Sequence, residues 1–403
     1  MMSKKSDDRK NIVVVGGGYA GFNLAHTLSY KLDSSKYNLI MITSKPYFIH
    51  LIAGIRLTVT DEGKLEDRVL MPYDHVFHNG NGTHVVGVVE SIIEEKESDL
   101  GKGEGGDDGG SVGVGGCVVL KSGEKVVYDV LVLATGSKWK GHLDFPDDDI
   151  EIREFIAQWR KRFADAKEVV LVGGGPISVE TAGEIRYFYP NTKVAIVHSH
   201  EMLLNPIYPD YFRKDIEQRL RLTGTDIVFN DYVDEIPPQG QVGLKTRHGK
   251  EFPNADLVIQ TNGSKPNTAF ISSLDSSILT ERGNVKIAPT FQVIGHPGIF
   301  AIGDIIDWEE QKQAFKAANH SRIVVGNILS YLSGQPLYKK YKGIFDAVFI
   351  TIGPLGGGGW IDLFWGISFD EGWGYLTNQQ YHSFFLILIP FCFRFVILVS
   401  GLP

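Results

Sequence analysis

Two apolar runs, Ile12-Val13-Val14-Val15 and Val169-Val170-Leu171-Val172, each end in a glycine-rich turn, and this duplication constrains the chain more than any other feature. The turns are Gly16-Gly17-Gly18-Tyr19-Ala20-Gly21 and Gly173-Gly174-Gly175-Pro176-Ile177-Ser178. A strand that runs into such a turn and leaves it as a helix aims backbone N–H groups and a helix N-terminus at a pyrophosphate. Two such turns predict two dinucleotide pockets, and two pockets in one chain predict electron transfer between two dinucleotides.

In the first turn Gly16 permits the tight bend, Gly18 lets the backbone approach a phosphate, and Gly21 allows the helix to pack closely on the strand. A helix over 22–30, apolar at Leu24, Ala25 and Leu28, and an extended run over 37–42 complete a βαβ unit. The second turn keeps Gly173 and Gly175 but carries Ser178 where the last glycine is expected. Serine is small enough to preserve the packing, and Pro176 suits a first helical turn whose N–H groups have no helical partner. Val179-Glu180-Thr181-Ala182-Gly183-Glu184 continues that helix, and Lys193–Val197 is its second strand.

The chain has 403 residues, 43% of them hydrophobic, enough for two or three domains with real cores. A net charge of -8 and the lack of a clustered Lys/Arg stripe leave no electrostatic footprint for nucleic acid. The two cysteines, Cys117 and Cys392, form no C-x-x-C or C-x4-C pair, which excludes a local redox dithiol. Electrons that reach a flavin would then leave directly for a diffusible acceptor. Cysteine poverty favours a reducing, cytoplasmic setting, and residues 1–10 are polar, without the apolar core of a secretory signal. No metal-ligand cluster and no Ser-His-Asp arrangement competes with the dinucleotide reading.

Residues 100–116 are low-complexity and Gly/Asp-rich and read as a flexible loop between two strands of a small meander. Strands follow at 117–120 and 126–133, the second running into Ala134-Thr135-Gly136, where small residues let backbone lie against a cofactor. The apolar run 130–133 suits a strand buried on both faces of a parallel sheet. A helix over 150–166 leads into the second glycine unit, which ends near 265 in a segment, 256–263, that echoes 130–136. Both halves therefore repeat one plan. The strand at 298–304 ends in Gly303-Asp304, whose carboxylate can sit over a ribitol or ribose hydroxyl or simply form a turn; a helix through 328 follows. The stretch 384–403 is nearly all apolar apart from Arg394 and reads as a membrane-surface segment or tail anchor, or else as a buried helix or an aberrant gene end.

Four motifs, Gly16 to Gly21, Ala134-Thr135-Gly136, Gly173 to Glu180, and Ala301-Ile302-Gly303-Asp304, give the chain over about 11–350 a resemblance to the apoptosis-inducing factor homologues, in the branch of the ferroptosis suppressors. The chain also looks like type II NADH dehydrogenases. The stretch 180–200, with its Tyr-Pro turn and His-Ser ending, is similar to the quinone-reducing branch. The resemblance implies an α/β fold of two Rossmann-like domains, one for FAD and one for NAD(P)H, the second inserted in the first. The expected division is 1–150 and 266–335 for FAD, 151–265 for NADH or NADPH, and 336–403 as a small C-terminal region with the apolar tail.

The same resemblance implies site residues. Gly16, Gly17, Gly18, Tyr19, Ala20 and Gly21 would hold the FAD pyrophosphate, Arg56 would add a cation near it, Val89 would meet the adenine through its backbone, and Asp304 would bind the ribitol region beside Gly303. Ala134, Thr135 and Gly136 would lie along the same cofactor; Gly173, Gly175 and Ser178 would carry the nicotinamide dinucleotide. Glu180 would sit at the nicotinamide side. Lys316 and His320, on the helix after Asp304, could face the isoalloxazine or the quinone, or be ordinary core or surface residues; His50 has similar standing. The acidic residue expected at the end of the second strand for the adenosine ribose is missing, replaced by Thr43-Ser44. The second unit has His198-Ser199-His200 at the corresponding place, with no carboxylate to repel a 2′-phosphate, so NADPH is admitted beside NADH, with Arg213 as a conceivable contact. The implied reaction is an NAD(P)H:quinone oxidoreduction through FAD at a membrane surface. The alternatives are an NADH-sensing flavoprotein of cell-death signalling and a reductase of a small electron-transfer protein.

Overall fold

The computed structural model describes residues 8–95, 115–362 and 367–369. Strand β1 (Lys10–Val15), helix α1 (Tyr19–Lys31) and strand β2 (Tyr37–Thr43) form the first βαβ unit, with β1 and β2 parallel and in register from Lys10↔Tyr37 to Val15↔Ile42. Helix α2 (Leu51–Val59) follows, then β3 (Thr83–Val86), parallel to β2. The meander consists of β4 (Val89–Glu94), β5 (Gly116–Leu120) and β6 (Lys125–Tyr128), antiparallel throughout. The expected loop at 100–116 lies almost wholly outside the described residues.

The run 126–133, expected as one strand, is two. It breaks at Asp129, where β6 ends and β7 (Val130–Leu133) joins β1 in the main sheet. The Asp129 N–H donates to the Asn11 carbonyl at 2.8 Å and its carboxylate accepts the Asn11 N–H at 2.7 Å, so the chain changes sheets at a fixed corner. All four residues of β7 are buried, as a strand covered on both faces requires.

Helix α3 (Asp149–Asp165), N-capped by the Asp148 side chain, leads into the second unit. That unit is β8 (Glu168–Val172), α4 (Pro176–Phe188), β9 (Lys193–Val197), α5 (Asp210–Leu222), β10 (Asp226–Val228) and β11 (Leu257–Gln260), a parallel sheet of order β10-β9-β8-β11. The chain then returns to the first sheet with β12 (Gln292–Val293) and β13 (His296–Ala301), completing a six-stranded order β12-β13-β7-β1-β2-β3. Strands from both sides of the second unit share one sheet, so the second unit is inserted in the first. Helix α6 (Ala314–Leu332) packs on α1, and an antiparallel sheet of β14 (Ala347–Ile352), β15 (Gly356–Ile361) and β16 (Ile367–Phe369) closes the described fold.

Two large cores result. The first joins β1, α1, β2, β7 and β13 with Val324, Val325 and Ile328 of α6. The second holds β8, α3 and α4 together with Ile55, Leu57 and Val59 of α2 and Val348, Ile350 and Trp360 of the closing sheet. Each fully buried aliphatic or aromatic side chain stabilises the fold by about 1.5–3 kcal/mol. Helix α2 thus belongs by packing to the second core although it precedes the second unit in the chain. Among the described residues no helix is long and apolar enough to cross a membrane, and the 384–403 stretch lies outside them.

Candidate functional site

At the first turn, Gly16 has φ +108°, and a Cβ there would stand 2.3 Å from the Ala134 carbonyl oxygen; a Cβ on Gly21 would stand 1.8 Å from the Gly16 oxygen. Both positions need glycine for the protein's own packing. Gly18 does not: its φ is -71° and a Cβ there would meet nothing within 4 Å. It caps α1 with no side-chain hydrogen bond, so the helix N-terminus opens onto empty space where an anion fits. Gly17 is covered from behind by Tyr73, whose hydroxyl donates to its carbonyl at 2.9 Å. Ala20 is buried, and the Tyr19 ring packs edge-on against Phe48 at 5.1 Å. The Tyr19 hydroxyl, buried without a hydrogen-bond partner, is driven by burial to a strongly raised pKa.

The ends of β7 and β13 meet beside this turn. Ala134 N–H donates to Val15 O at 2.8 Å, the Thr135 hydroxyl donates to Asn267 O at 2.6 Å, and Gly136 at φ +62° faces open space. Ser137 donates to the Asp304 carboxylate at 2.8 Å, which brings the Ala-Thr-Gly turn and the Gly303-Asp304 turn together. Val89 opens β4 two residues after Gly87, whose N–H donates to the Thr43 carbonyl at 2.7 Å, so the 87–89 segment crosses the end of β2.

The second turn repeats the geometry. Gly173 has φ +125° and a Cβ there would lie 2.9 Å from Asn262 backbone; Gly175, the N-cap of α4, again faces open space. The Ser178 hydroxyl bonds back to the Gly173 carbonyl and sits 2.5 Å from the Thr261 hydroxyl, so it ties the helix to the turn that a third glycine would merely approach. The linkers leaving the two sheets pair with each other, Ser137↔Pro266 and Lys138↔Lys265, which sets the two crevices side by side.

Glu180 lies one turn into α4, half-buried, with Oε1 accepting the Thr351 N–H at 3.2 Å and its hydroxyl at 3.3 Å. Burial, reinforced by the Glu184 charge, pushes its carboxyl up to about 7 against the pull of the Thr351 bonds and Arg56. Arg56, expected near the first turn, reaches the second unit: Nε and Nη2 donate to Glu184 Oε2 and Oε1 at 3.0 and 2.7 Å. Lys316 is 1% exposed and donates to Asp346 at 2.5 Å. His320, also 1% exposed, accepts the Gly303 N–H through Nδ1 at 3.2 Å, while Nε2 stands 3.0 Å from a Glu310 oxygen, off the line of a good hydrogen bond. The other Glu310 oxygen takes the Tyr341 hydroxyl at 2.5 Å. Both residues are therefore held inside the protein.

His50 caps α2, and burial lowers its pKa. The conceivable contact of Arg213 with a 2′-phosphate does not survive: its buried guanidinium is occupied by the carbonyls of Leu203, Met202 and Leu204 at 2.9, 3.3 and 3.4 Å. Burial, then the neighbouring His200, drives His198 down to about 4, so it stands neutral where β9 ends. Sequence reasoning missed Thr351, Tyr73 and the partner of Arg56; only Glu184, one helical turn beyond Glu180, carried a signal, as a second carboxylate on the same face. Among the described residues no group of His, Cys, Asp and Glu could hold a metal ion.

A family model for the pyridine nucleotide-disulphide oxidoreductases matches residues 10–321. The chain is 44% identical over 317 residues to the FAD-dependent oxidoreductase FVFD30 of Flammulina velutipes, covering 79% of this chain and 93% of that one. It is 28% identical to apoptosis-inducing factor homolog B of Dictyostelium discoideum, over 87% of this chain and 89% of that one. In fold it is similar to the sulfide:quinone oxidoreductase of Aquifex aeolicus, with a TM-score of 0.72, 17% identity, and coverage of 92% and 89%.

Proposed function

The chain belongs to the pyridine nucleotide-disulphide oxidoreductase family and is an FAD-dependent oxidoreductase of the apoptosis-inducing-factor-like kind using NAD(P)H, and from that premise we propose that its acceptor is a quinone. The observation that carries this reading is the cysteine content. Of two cysteines in the sequence, Cys117 is buried in the meander, where burial raises its thiol pKa, and Cys392 is remote in sequence. The sequence offers no closely spaced cysteine pair to relay electrons, so in this reading they pass from flavin straight to a diffusible acceptor. The Aquifex aeolicus neighbour in fold is a sulfide:quinone oxidoreductase, and the apolar stretch 384–403 would bring the enzyme to an apolar substrate at a membrane surface.

FAD bound here would supply the hydride acceptor and two-electron carrier. The protein's own part is to position and to hold protons. Gly16 to Gly21 and the open N-terminus of α1 fit a pyrophosphate; Asp304, held by Ser137, fits the ribitol region. Gly173, Gly175 and the α4 N-terminus fit the nicotinamide dinucleotide, whose adenosine end would lie towards His198-Ser199-His200, a strand end with no acidic residue among those three. Glu180, with a pKa near neutrality and Oε1 held by Thr351, would hold or release a proton beside a nicotinamide bound at the second turn. Lys316 and His320 act from within: His320 fixes the Gly303 amide, and Lys316 neutralises Asp346.

Purified protein mixed with NADH and a short-chain quinone tests this. Rapid, repeated loss of NADH absorbance supports it; a stable long-wavelength band without turnover overturns it in favour of a signalling flavoprotein. Turnover only with a small iron–sulfur protein overturns it in favour of a protein acceptor. The membrane contact is tested by flotation with lipid vesicles: a chain truncated after about residue 380 that floats as well as the full chain shows that the apolar stretch is not the anchor.

A further inference from the structure

The end of β2 lacks the carboxylate that usually takes the adenosine ribose, and Thr43 does not replace it. Thr43 is 4% exposed, its hydroxyl donates to the Lys45 carbonyl at 2.7 Å, and its Oγ1 also meets His84 Nε2 at 2.7 Å. A carboxylate nevertheless stands at this strand end. Asp147, on the loop just before α3, takes the Ser44 hydroxyl at 2.7 Å and the Lys45 ammonium at 2.6 Å, both on Oδ1. Lys45 also donates to the carbonyls of Phe145 and Pro146, each at 2.8 Å, so a single ammonium pins the loop to the end of β2.

Three features suit this carboxylate to a ligand. Its side chain is 50% exposed, and its Oδ2 takes no protein hydrogen bond among the described residues. Its charge persists: burial opposes ionisation, but the bonds from Lys45 and Ser44 outweigh burial and hold the pKa below the usual carboxylate range. And it lies outside the carboxyl end of a parallel strand whose last residue touches the first glycine turn, since a Cβ on Gly17 would meet the Thr43 methyl at 2.6 Å.

We propose that Asp147, held by Ser44 and Lys45, is the acceptor for the adenosine ribose hydroxyls of FAD, supplying from a distant loop the carboxylate that β2 lacks. The inference rests on FAD occupying the first glycine turn. Because the interaction is a hydrogen bond to a charged group, its removal is expected to change binding about 10- to 100-fold.

The test is a competition for the full-length holoenzyme between FAD and an analogue whose adenosine is 2′,3′-dideoxy, read as the ratio of flavins retained after exchange. Wild type is expected to prefer FAD by about 10- to 100-fold, and Asp147→Asn to lower that preference to within about threefold. Lys45→Met, which frees the loop, is expected to lower it as well. A variant that merely loosens the fold weakens both flavins and leaves the ratio intact, so a wild-type ratio in Asp147→Asn overturns the assignment. A wild type that takes both flavins equally overturns the assignment as well, because nothing then holds the ribose hydroxyls; the placement of FAD on the first turn fails separately, if Gly18→Ala retains FAD as tightly as wild type.

Discussion

Arg56 of α2 and Glu184 of α4 form a two-pronged ion pair, 3.0 and 2.7 Å, with the carboxylate side chain 3% exposed. The pair ties a helix that precedes the second unit to the helix that carries Glu180. Removing one partner strands the other in a buried place, so Arg56→Met is expected to destabilise the protein by about 3 kcal/mol. Arg56→Met with Glu184→Leu is expected to recover most of that loss, because an apolar pair avoids both desolvation penalties. Denaturant unfolding of the two singles and the double checks it; a double variant as unstable as the sum of the singles would contradict the buried-pair account.

Gly183, one residue before Glu184, is where α4 touches the closing sheet. A Cβ there would lie 2.5 Å from the Gly353 nitrogen and 2.6 Å from Ile352 Cα, both backbone atoms that cannot step aside. Alanine gains about 1 kcal/mol over glycine in a helix interior, whereas overpacking costs about 1–3 kcal/mol. Because the obstruction is backbone, the second effect wins, and Gly183→Ala is expected to lower the melting temperature and to loosen Thr351 from Glu180.

Those two contacts mark where sequence reading stops. The strand-turn-helix units were legible because each is local: hydrophobic runs of four residues, a glycine at a positive φ, and a helix with an apolar stripe all lie within about twenty residues. Gly16 and Gly173 announced their own conformations. Arg56–Glu184, Glu180–Thr351 and Ser44–Asp147 join residues separated by 128, 171 and 103 positions, and no periodicity encodes such partners. The break of 126–133 at Asp129 was hidden for a related reason, since both halves are equally apolar and only the Asn11 backbone distinguishes them.

His142 has no exposure, its Nε2 meets the Thr181 hydroxyl at 3.1 Å, and burial drives its pKa down to about 3. The unfolded chain takes up its proton near pH 6.5 while the folded chain resists. Stability from this group is therefore complete above pH 6.5 and is lost as pH falls from there toward 3, reaching a cost of about 2 kcal/mol at pH 5. His142→Gln is expected to flatten the acid limb of a stability–pH curve by about one proton. An unchanged limb would mean that His142 is protonated in the fold.

Glu180 runs the other way. Its folded pKa of about 7 exceeds the ordinary 4.5, so its contribution is full below pH 4.5 and is lost as pH rises through 7. Glu180→Gln keeps the neutral form at every pH and can still accept from Thr351; it is expected to be more stable than wild type by about 1–3 kcal/mol at pH 8 and equal to it at pH 4. If its proton also matters beside the nicotinamide, the pH profile of kcat/KM for NADH bends near 7 in wild type and loses that bend in the variant.

Gly18 and Gly175 occupy equivalent N-cap positions, and each faces space in which a Cβ would touch no protein atom. Neither has a positive φ, so alanine at either site strains no backbone. The cost must then fall on what fills that space. Gly18→Ala is expected to fold with normal secondary structure yet retain FAD at least tenfold more weakly, since a methyl group displaces a phosphate from the helix N-terminus by more than a hydrogen bond tolerates. Gly175→Ala is expected to keep its flavin and raise KM for NADH at least tenfold, leaving the rate with an artificial reductant unchanged. Flavin retention after gel filtration and steady-state kinetics separate the two. Were Gly18→Ala to hold FAD as tightly as wild type, the open space at the first turn would not be where the pyrophosphate lies, and the two glycine turns would have to exchange cofactors or lose one.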